Sequence, residues 1–273
     1  MIVVSTMPAR GSVERAFIPT MGALHDGHRA LMREAREAVG PNGEVVVSVF
    51  VNPTQFGANE DFDKYPRSLD ADAHACAQEG VDIVYAPTVH DVYGEQPTIT
   101  VDPGPLGSEL EGRTRPGHFA GVLTVVSILF HQVDPAVAMF GEKDFQQLVL
   151  VRRMCADLSF PLRIVGVATV REPDGLARSS RNVYLSDEDR RRAQAIPRAL
   201  DAGVQSARQG IEQARAAAAA ILDEAGLEID YVEVRGPDLG PAPRSGEARL
   251  LIAVQAGATR LIDNCRIDVE EGR

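Results

Sequence analysis

Lysine is nearly absent from this chain of 273 residues: Lys64 and Lys143 are the only two, and every other basic side chain is an arginine. A lysine kept in an arginine-dominated chain marks a position where a compact ammonium matters. Cysteine is scarce as well. Cys76, Cys155 and Cys265 stand far apart and form no CxxC pair, which suits a reducing compartment and gives no zinc signature. No apolar stretch approaches the ~20 residues that span a bilayer; the most apolar, 45–51 and 120–130, are far shorter. The N-terminal MIVVSTMPARGSVER has no apolar stretch behind a basic start, so no signal peptide is expected. Both GxxxxGK[ST] and GxGxxG are missing, which excludes a P-loop enzyme and a dinucleotide fingerprint. Basic residues are outnumbered 28 to 39, for a net charge of -11, so nucleic acid and anionic lipid are repelled on average. With 44% hydrophobic and 25% charged residues, the composition is that of a packed globular chain. The expectation is a soluble, cytoplasmic protein with no nucleic-acid or membrane partner.

What is present is a regular alternation. Strand-like runs at 16–19, 45–51, 81–86, 136–140 and 162–168 alternate with helical patterns at 28–39, 68–79, 120–132 and 145–158. That alternation predicts an α/β fold, a parallel sheet with helices on both faces, whose ligands sit at the carboxyl ends of the strands. After about Val170 the pattern changes to helices at 187–209 and 211–225, then strands at 229–234 and 248–254. The chain therefore reads as a parallel-sheet domain, 1–169, followed by a smaller α+β domain, 170–273. The alanine run 216–220 reads as helix propensity.

Four clusters carry candidate chemistry. The first is PTMGALHDGH at 19–28, between a strand and a helix. His25 and His28 fall on one face of a helix start, and Gly27 leaves room for close approach. The helix N-terminus adds N–H groups and partial positive charge, together an anion site able to meet charge building on a phosphate. The alternatives are a capping pair or two ligands of a metal, although the HExxH spacing of zinc sites is absent. The second is Gly141-Glu142-Lys143-Asp144: a glycine for backbone contact, an ammonium for phosphate and an acid for ribose hydroxyls or a magnesium shell. Its plain reading is a helix start with acids on the dipole. Gln146 and Gln147, next on the helix, are solvated by default. The third is the loop 174–182, with Arg178, Ser179, Ser180, Arg181 and Asn182, suited to phosphate or to a simple polar linker. The fourth, Asn52-Pro53-Thr54-Gln55-Phe56, puts neutral amides at a strand end, where they suit orientation of a hydroxylated or carboxylate substrate. His74, His90, His118 and His131 show no constellation and read as structural or surface residues.

Taken in order, PTMGALHDGH, NPTQF, GEKDFQQL and SSRN resemble pantothenate synthetases, the AMP-forming ligases of pantoate and β-alanine, with HFAGVLTVV at 118–126 adding to the likeness. More loosely, His25–His28 resembles the wider superfamily of HIGH-type nucleotidyltransferases. The resemblance implies an ATP turn made of Met21, Gly22, Ala23, Leu24, His25, Asp26, Gly27 and His28. In it both histidines would lie on the phosphates, with His28 as proton donor. Gln55 and Gln147 would bind pantoate, with Met21 against its methyl groups. Gly141, Glu142 and Asp144 would lie at the nucleotide, and Lys143, Ser179, Ser180 and Arg181 at the phosphates. Val170 and the backbone of Arg178 would flank adenine. It also implies a Rossmann-like domain with a C-terminal lid, a homodimer, and Mg²⁺ accompanying the substrate ATP. Two departures stand out. Arg178 occupies a position commonly methionine, and an aspartate-rich stretch is reduced to Asp70 and Asp72, so no magnesium ligand is assigned. No activated serine or cysteine is evident, as suits a reaction that forms an acyl adenylate and needs no enzymic nucleophile. A nucleotidyltransferase that stops after nucleotide transfer, which would not need the glutamine pair, and a non-catalytic nucleotide-binding module are the rival readings.

Overall fold

Strands form where β-branched runs can be buried on both faces, and helices where a cap precedes an apolar stripe. The computed structural model describes residues 1–57, 68–95 and 98–270; Lys64 lies outside them. The chain divides into two compact units, Met1–Glu142 with Gln146–Ala168, and Lys143–Phe145 with Thr169–Arg273.

The first unit contains strands β1 (Ile2–Val4), β2 (Arg15–Thr20), β3 (Glu44–Val49), β4 (Ile83–Tyr85), β5 (Val137–Gly141) and β6 (Arg163–Val167). Helices α1 (Asp26–Val39), α2 (Leu69–Gln78), α3 (Val89–Tyr93), α4 (Glu111–Thr114), α5 (His118–Val133) and α6 (Phe145–Asp157) connect them. All pairings are parallel, in the order β1-β4-β3-β2-β5-β6. Val45, Val46 and Val47 are fully buried, as a strand covered on both faces requires. Leu31, Met32 and Ala35 of α1 pack with Ile18, Val47 and Met139 in one core. Arg15 is buried too, and its charge is answered by Glu44 at 2.8 Å. The strand order reverses at β2, between β3 and β5, which makes that point the ligand crevice of an open parallel sheet. Thr20 lies in register with Val49, and β5 begins in register with Ala16, so the loops after β2, β3 and β5 leave the sheet as neighbours. Those loops carry PTMGALHDGH, NPTQF and the start of GEKD.

The second unit has helices α7 (Asp187–Ala193), α8 (Ala195–Ser206) and α9 (Ile211–Glu224) and an antiparallel sheet of β7 (Glu228–Arg235), β8 (Gly246–Ala256) and β9 (Thr259–Val269). Ile196, Ala199, Leu200, Ala214, Ala218 and Leu222 meet Leu250, Ile252 and Val254 in its core. Part of the alanine run is thus packing as well as propensity, because the small side chains let α9 close onto its neighbours.

Three expectations need correction. The helix expected at 187–209 breaks at Gln194, because the ring of Pro197 cannot sit four residues after a continuing helical carbonyl at Ala193. A third strand, β9, follows the turn at Gly257, whose φ of 59° is left-handed. Its pattern is obscured by Asp263 and Asn264, both buried, the former neutralised by Arg171 at 2.6 Å. The edge strand β1 is also absent from the sequence reading; Ile2 and Val3 remain exposed, so it carries little burial signal.

Candidate active site

The turn after β2 is built from backbone up. Thr20 Oγ1 donates to the Ser48 carbonyl (2.6 Å) and accepts from Gly22 N–H (3.2 Å). Gly22 and then Ala23 adopt left-handed φ values of 82° and 51°, which turns the chain sharply into α1. His25 is the N-cap. Its Nδ1 accepts from Gly27 N–H at 3.1 Å, while His28 Nδ1 accepts from His25 N–H at 3.2 Å. The two histidines therefore form a reciprocal capping box, the arrangement usually made by serine and glutamate. With both Nδ1 atoms accepting, the ring proton of each neutral imidazole is on Nε2. The ring centroids are 4.1 Å apart. Capping is thus a real role of this pair. Gly27 has a reason of its own: a Cβ there would stand 2.9 Å from His25 Cε1, so glycine makes room for the imidazole.

The turn after β3 brings two expected substrate residues together. Gln55 is buried; its Oε1 accepts from Asn52 Nδ2 (3.1 Å) and its Nε2 lies 2.8 Å from Met21 Sδ. A thioether is a weak acceptor, so the Gln55 amide N–H is readily transferred to a stronger one such as a carboxylate. Beneath it, Gly121 of α5 lies so close to the Thr54 carbonyl that a Cβ would approach to 2.3 Å. His118 Nδ1 pairs with the Gln55 carbonyl at 2.9 Å. His118, which showed no constellation in the sequence, is therefore a support of this turn.

After β5, Glu142–Asp144 is a 3-10 turn. The Lys143 ammonium lies 3.6 Å from Asp144, and Asn264 Nδ2 donates to the Lys143 carbonyl at 2.9 Å. Gln147 is half-buried on α6. Gln146 overturns its solvated reading: it is buried, donates to the Leu106 and Glu109 carbonyls (2.8 and 2.9 Å) and accepts from Glu111 N–H (3.0 Å). It ties the loop before α4 to α6. The adjacent glutamines thus divide, one internal and one half-buried.

In the second unit, Ser179 caps a 3-10 turn, Ser180–Tyr184, by accepting from Arg181 N–H. Lys143, Ser179, Arg181, Asn182, Arg260 and Asp263 line one small recess, so three cationic groups converge. Asn182 Nδ2 donates to Glu172 Oε1 (2.7 Å) and to the Ala177 carbonyl (3.1 Å), while its buried Oδ1 has no partner among the described residues. Arg178 N–H donates to the Val170 carbonyl at 2.8 Å, and the Arg178 guanidinium lies 3.3 Å from Glu172. Burial of Glu172 favours its neutral form, but hydrogen bonds from Arg190 and Asn182 and the charges of Arg190 and Arg178 outweigh that and hold its pKa below the ordinary value.

The thiols offer no nucleophile. Burial pushes Cys76 and Cys265 up to about 12 and Cys155 to about 11, Asp72 adding to the effect at Cys76. Among the described residues no group of three or more His, Cys, Asp or Glu side chains is placed to hold a metal, and no helix is long and apolar enough to cross a membrane.

The model of the family described as pantoate-beta-alanine ligase matches residues 3–266. The chain belongs to that family. It is an enzyme that uses ATP to ligate pantoate and β-alanine. It is 56% identical over 251 residues to the pantothenate synthetase of Saccharopolyspora erythraea, covering 92% of this chain and 82% of the relative. To that of Mycolicibacterium smegmatis it is 57% identical over 253 residues, covering 92% and 80%. The crystal structure of the Thermus thermophilus pantothenate synthetase superposes with a TM-score of 0.90 at 46% identity, covering 97% of this chain and 99% of that one. The Francisella tularensis pantoate-beta-alanine ligase, complexed with beta-gamma ATP and beta-alanine, gives 0.80 at 32% identity, covering 97% of each.

Proposed function

We propose that the ligation runs through a pantoyl adenylate. A pantoate carboxylate oxygen attacks the α-phosphorus of ATP, and the bond from that phosphorus to the bridging oxygen breaks to release pyrophosphate. The β-alanine amine then attacks the acyl carbon, the acyl–oxygen bond to AMP breaks, and the amine gives up a proton to solvent. Adenylation supplies the leaving group, so the protein contributes position and charge stabilisation, not a covalent nucleophile.

The observation that carries this reading is the histidine capping box. Holding both imidazoles by Nδ1 makes Nε2–H a donor at a helix N-terminus, where anions are favoured. His25 and His28 act on the phosphates as charge builds during the first step, each donating a hydrogen bond from Nε2–H, with His28 the residue to which the family resemblance gives the donor role. The rest of the turn, Met21, Gly22, Ala23, Leu24, Asp26 and Gly27, lines the nucleotide. Gln55 and Gln147 bind pantoate, with Met21 against its methyl groups; the weakly held Gln55 amide supports that role. Gly141, Glu142 and Asp144 belong to the nucleotide, Asp144 and Gly141 at the ribose. Lys143, Ser179, Ser180 and Arg181 take the phosphates, a role that suits the cationic recess of the second unit. The backbone of Val170 and Arg178 flanks adenine, and the ion pair of Arg178 with Glu172 leaves its side chain no need to do so. In this reading residues 1–169 bind ATP and pantoate, and 170–273 form the smaller lid-type domain.

Mg²⁺ accompanies ATP, bound through the substrate phosphates and keeping several waters. Among the described residues no group of three or more His, Cys, Asp or Glu side chains is placed to hold the ion, and the buried Asp72 carboxylate accepts from two backbone N–H groups. By the same family likeness we infer a homodimer that works in the cytoplasm.

The test is AMP formation. It requires ATP, pantoate and β-alanine together. Pyrophosphate release with pantoate alone at the full rate and no AMP, or nucleotide binding without turnover, would favour the rival readings.

A further inference from the structure

Asp72 is far in sequence from the histidine turn, yet it is part of it. Its carboxylate, 4% exposed on the first turn of α2, accepts from Ala23 N–H at 3.2 Å and from Leu24 N–H at 2.9 Å. These two N–H groups belong to the segment in which Gly22 and Ala23 are left-handed, a conformation that costs an alanine free energy unless the surroundings hold it. Gly22 fits the same contact: a Cβ there would stand 2.6 Å from Asp72 Oδ2 and 3.1 Å from Val49 Cγ1. At its other end α2 is tied to α1 by Arg29, which bonds Glu79 (3.0 Å) and Gln78 (2.7 Å). The helix is thus anchored against the turn and against the helix that the turn begins.

We infer that Asp72 is a positioning residue for adenylate formation. By clamping the Ala23 and Leu24 amides it fixes the entry into α1, and so fixes the His25–His28 capping box that sets which nitrogen of each ring bears the proton. It touches no substrate and acts only through the backbone, with charge-assisted hydrogen bonds that a neutral side chain makes less well. The inference rests on the reading that both histidines serve the phosphates.

The test uses Asp72→Ala and Asp72→Asn in the full chain. Asparagine keeps an acceptor for Leu24 but turns an amide toward the Ala23 N–H, so it folds as an isostere with half the clamp. Two readouts are compared: the ring-nitrogen NMR signals of His25 and His28, and pantoate-dependent exchange of label between pyrophosphate and ATP. The wild type should show one tautomer at each ring, protonated on Nε2. Asp72→Ala should mix the tautomers and lower exchange kcat on the order of 10²-fold, the scale of a small misplacement of catalytic groups. Asp72→Asn should fall between, with the KM for pantoate little changed in both. Unaltered ring signals in both variants would overturn the inference, and so would an altered Mg²⁺ requirement with the rings undisturbed. A His28→Ala control separates the two claims. Exchange at the wild-type rate in that control would refute the histidine reading, while the ring signals of His25 would still judge the clamp.

Discussion

Gly27→Ala tests the coupling of cap to catalysis with little disturbance elsewhere. Gly27 is the second residue of α1 and does not have a left-handed φ, so alanine meets no backbone strain and gains about 0.8–1 kcal/mol of helix propensity. The new Cβ would lie 2.9 Å from His25 Cε1 and 3.0 Å from Nδ1, so the ring must move. That movement weakens the bond from Gly27 N–H to Nδ1, a cap interaction worth about 0.5–2 kcal/mol. The two effects nearly cancel, leaving a net change within about 1 kcal/mol, or a melting-temperature shift of about 2–4 °C in either direction. Activity has no such compensation. A displaced imidazole should slow adenylate formation about 10²-fold, equivalent to about 2.7 kcal/mol in the barrier. Thermal unfolding and pantoate-dependent pyrophosphate–ATP exchange, measured on the same preparation, give both numbers. Exchange within about three-fold of wild type would refute the claim that the position of His25 matters.

Other outcomes follow from the same geometry. Lys143→Ala should lose about 2.7–4 kcal/mol of transition-state stabilisation in pre-steady-state adenylate formation, and Lys143→Arg should lower kcat without disturbing folding, since a planar fork replaces a compact charge; wild-type rates in both would return the turn to a helix start. Gln55→Glu keeps the acceptor for Asn52 but puts a negative charge where the pantoate carboxylate is expected, so the KM for pantoate should rise more than ten-fold with that for ATP nearly unchanged; equal changes in both would remove Gln55 from the pantoate site. Glu172 has a folded pKa held below its ordinary value, so its stabilisation is present above about pH 4.3 and is lost as pH falls through the folded value. The melting-temperature gap between wild type and Glu172→Gln should therefore narrow from about pH 6 to pH 3, and a constant gap would show that the arginines do not hold this carboxylate.

Much of the first unit is legible because parallel strands advertise themselves as unbroken β-branched runs, as at Val45, Val46 and Val47, and because Gly22, Pro53 and Gly141 end them. The candidate residues after three of these strands are legible for the same reason: the sheet order places the ends of β2, β3 and β5 side by side. What sequence reading misses depends on partners distant in the chain. Asp72 answers amides 49 and 48 residues away, and nothing in LDADAHACAQ distinguishes it from Asp70. Gln146 and Gln147 look alike until the loop before α4 claims one of them. Strand β9 is hidden because a buried Asp263 breaks the apolar alternation, and the charge that makes its burial tolerable, Arg171, lies 92 residues earlier. His118 lies near Arg115 in the sequence, and its Nε2 is 3.0 Å from Arg115 Nη1, but its bond to the Gln55 carbonyl 63 residues away leaves no trace in side-chain patterns.

The central claim is that pantoate is activated on ATP before the amine is needed, and one measurement addresses it directly. Labelled pyrophosphate is incubated with the enzyme, ATP, Mg²⁺ and pantoate, with β-alanine left out. The account predicts label appearing in ATP at a rate that depends on pantoate and falls with His28→Ala. Absence of exchange from an enzyme that makes pantothenate once β-alanine is added would contradict a freely reversible adenylate step and the roles assigned to the histidine turn.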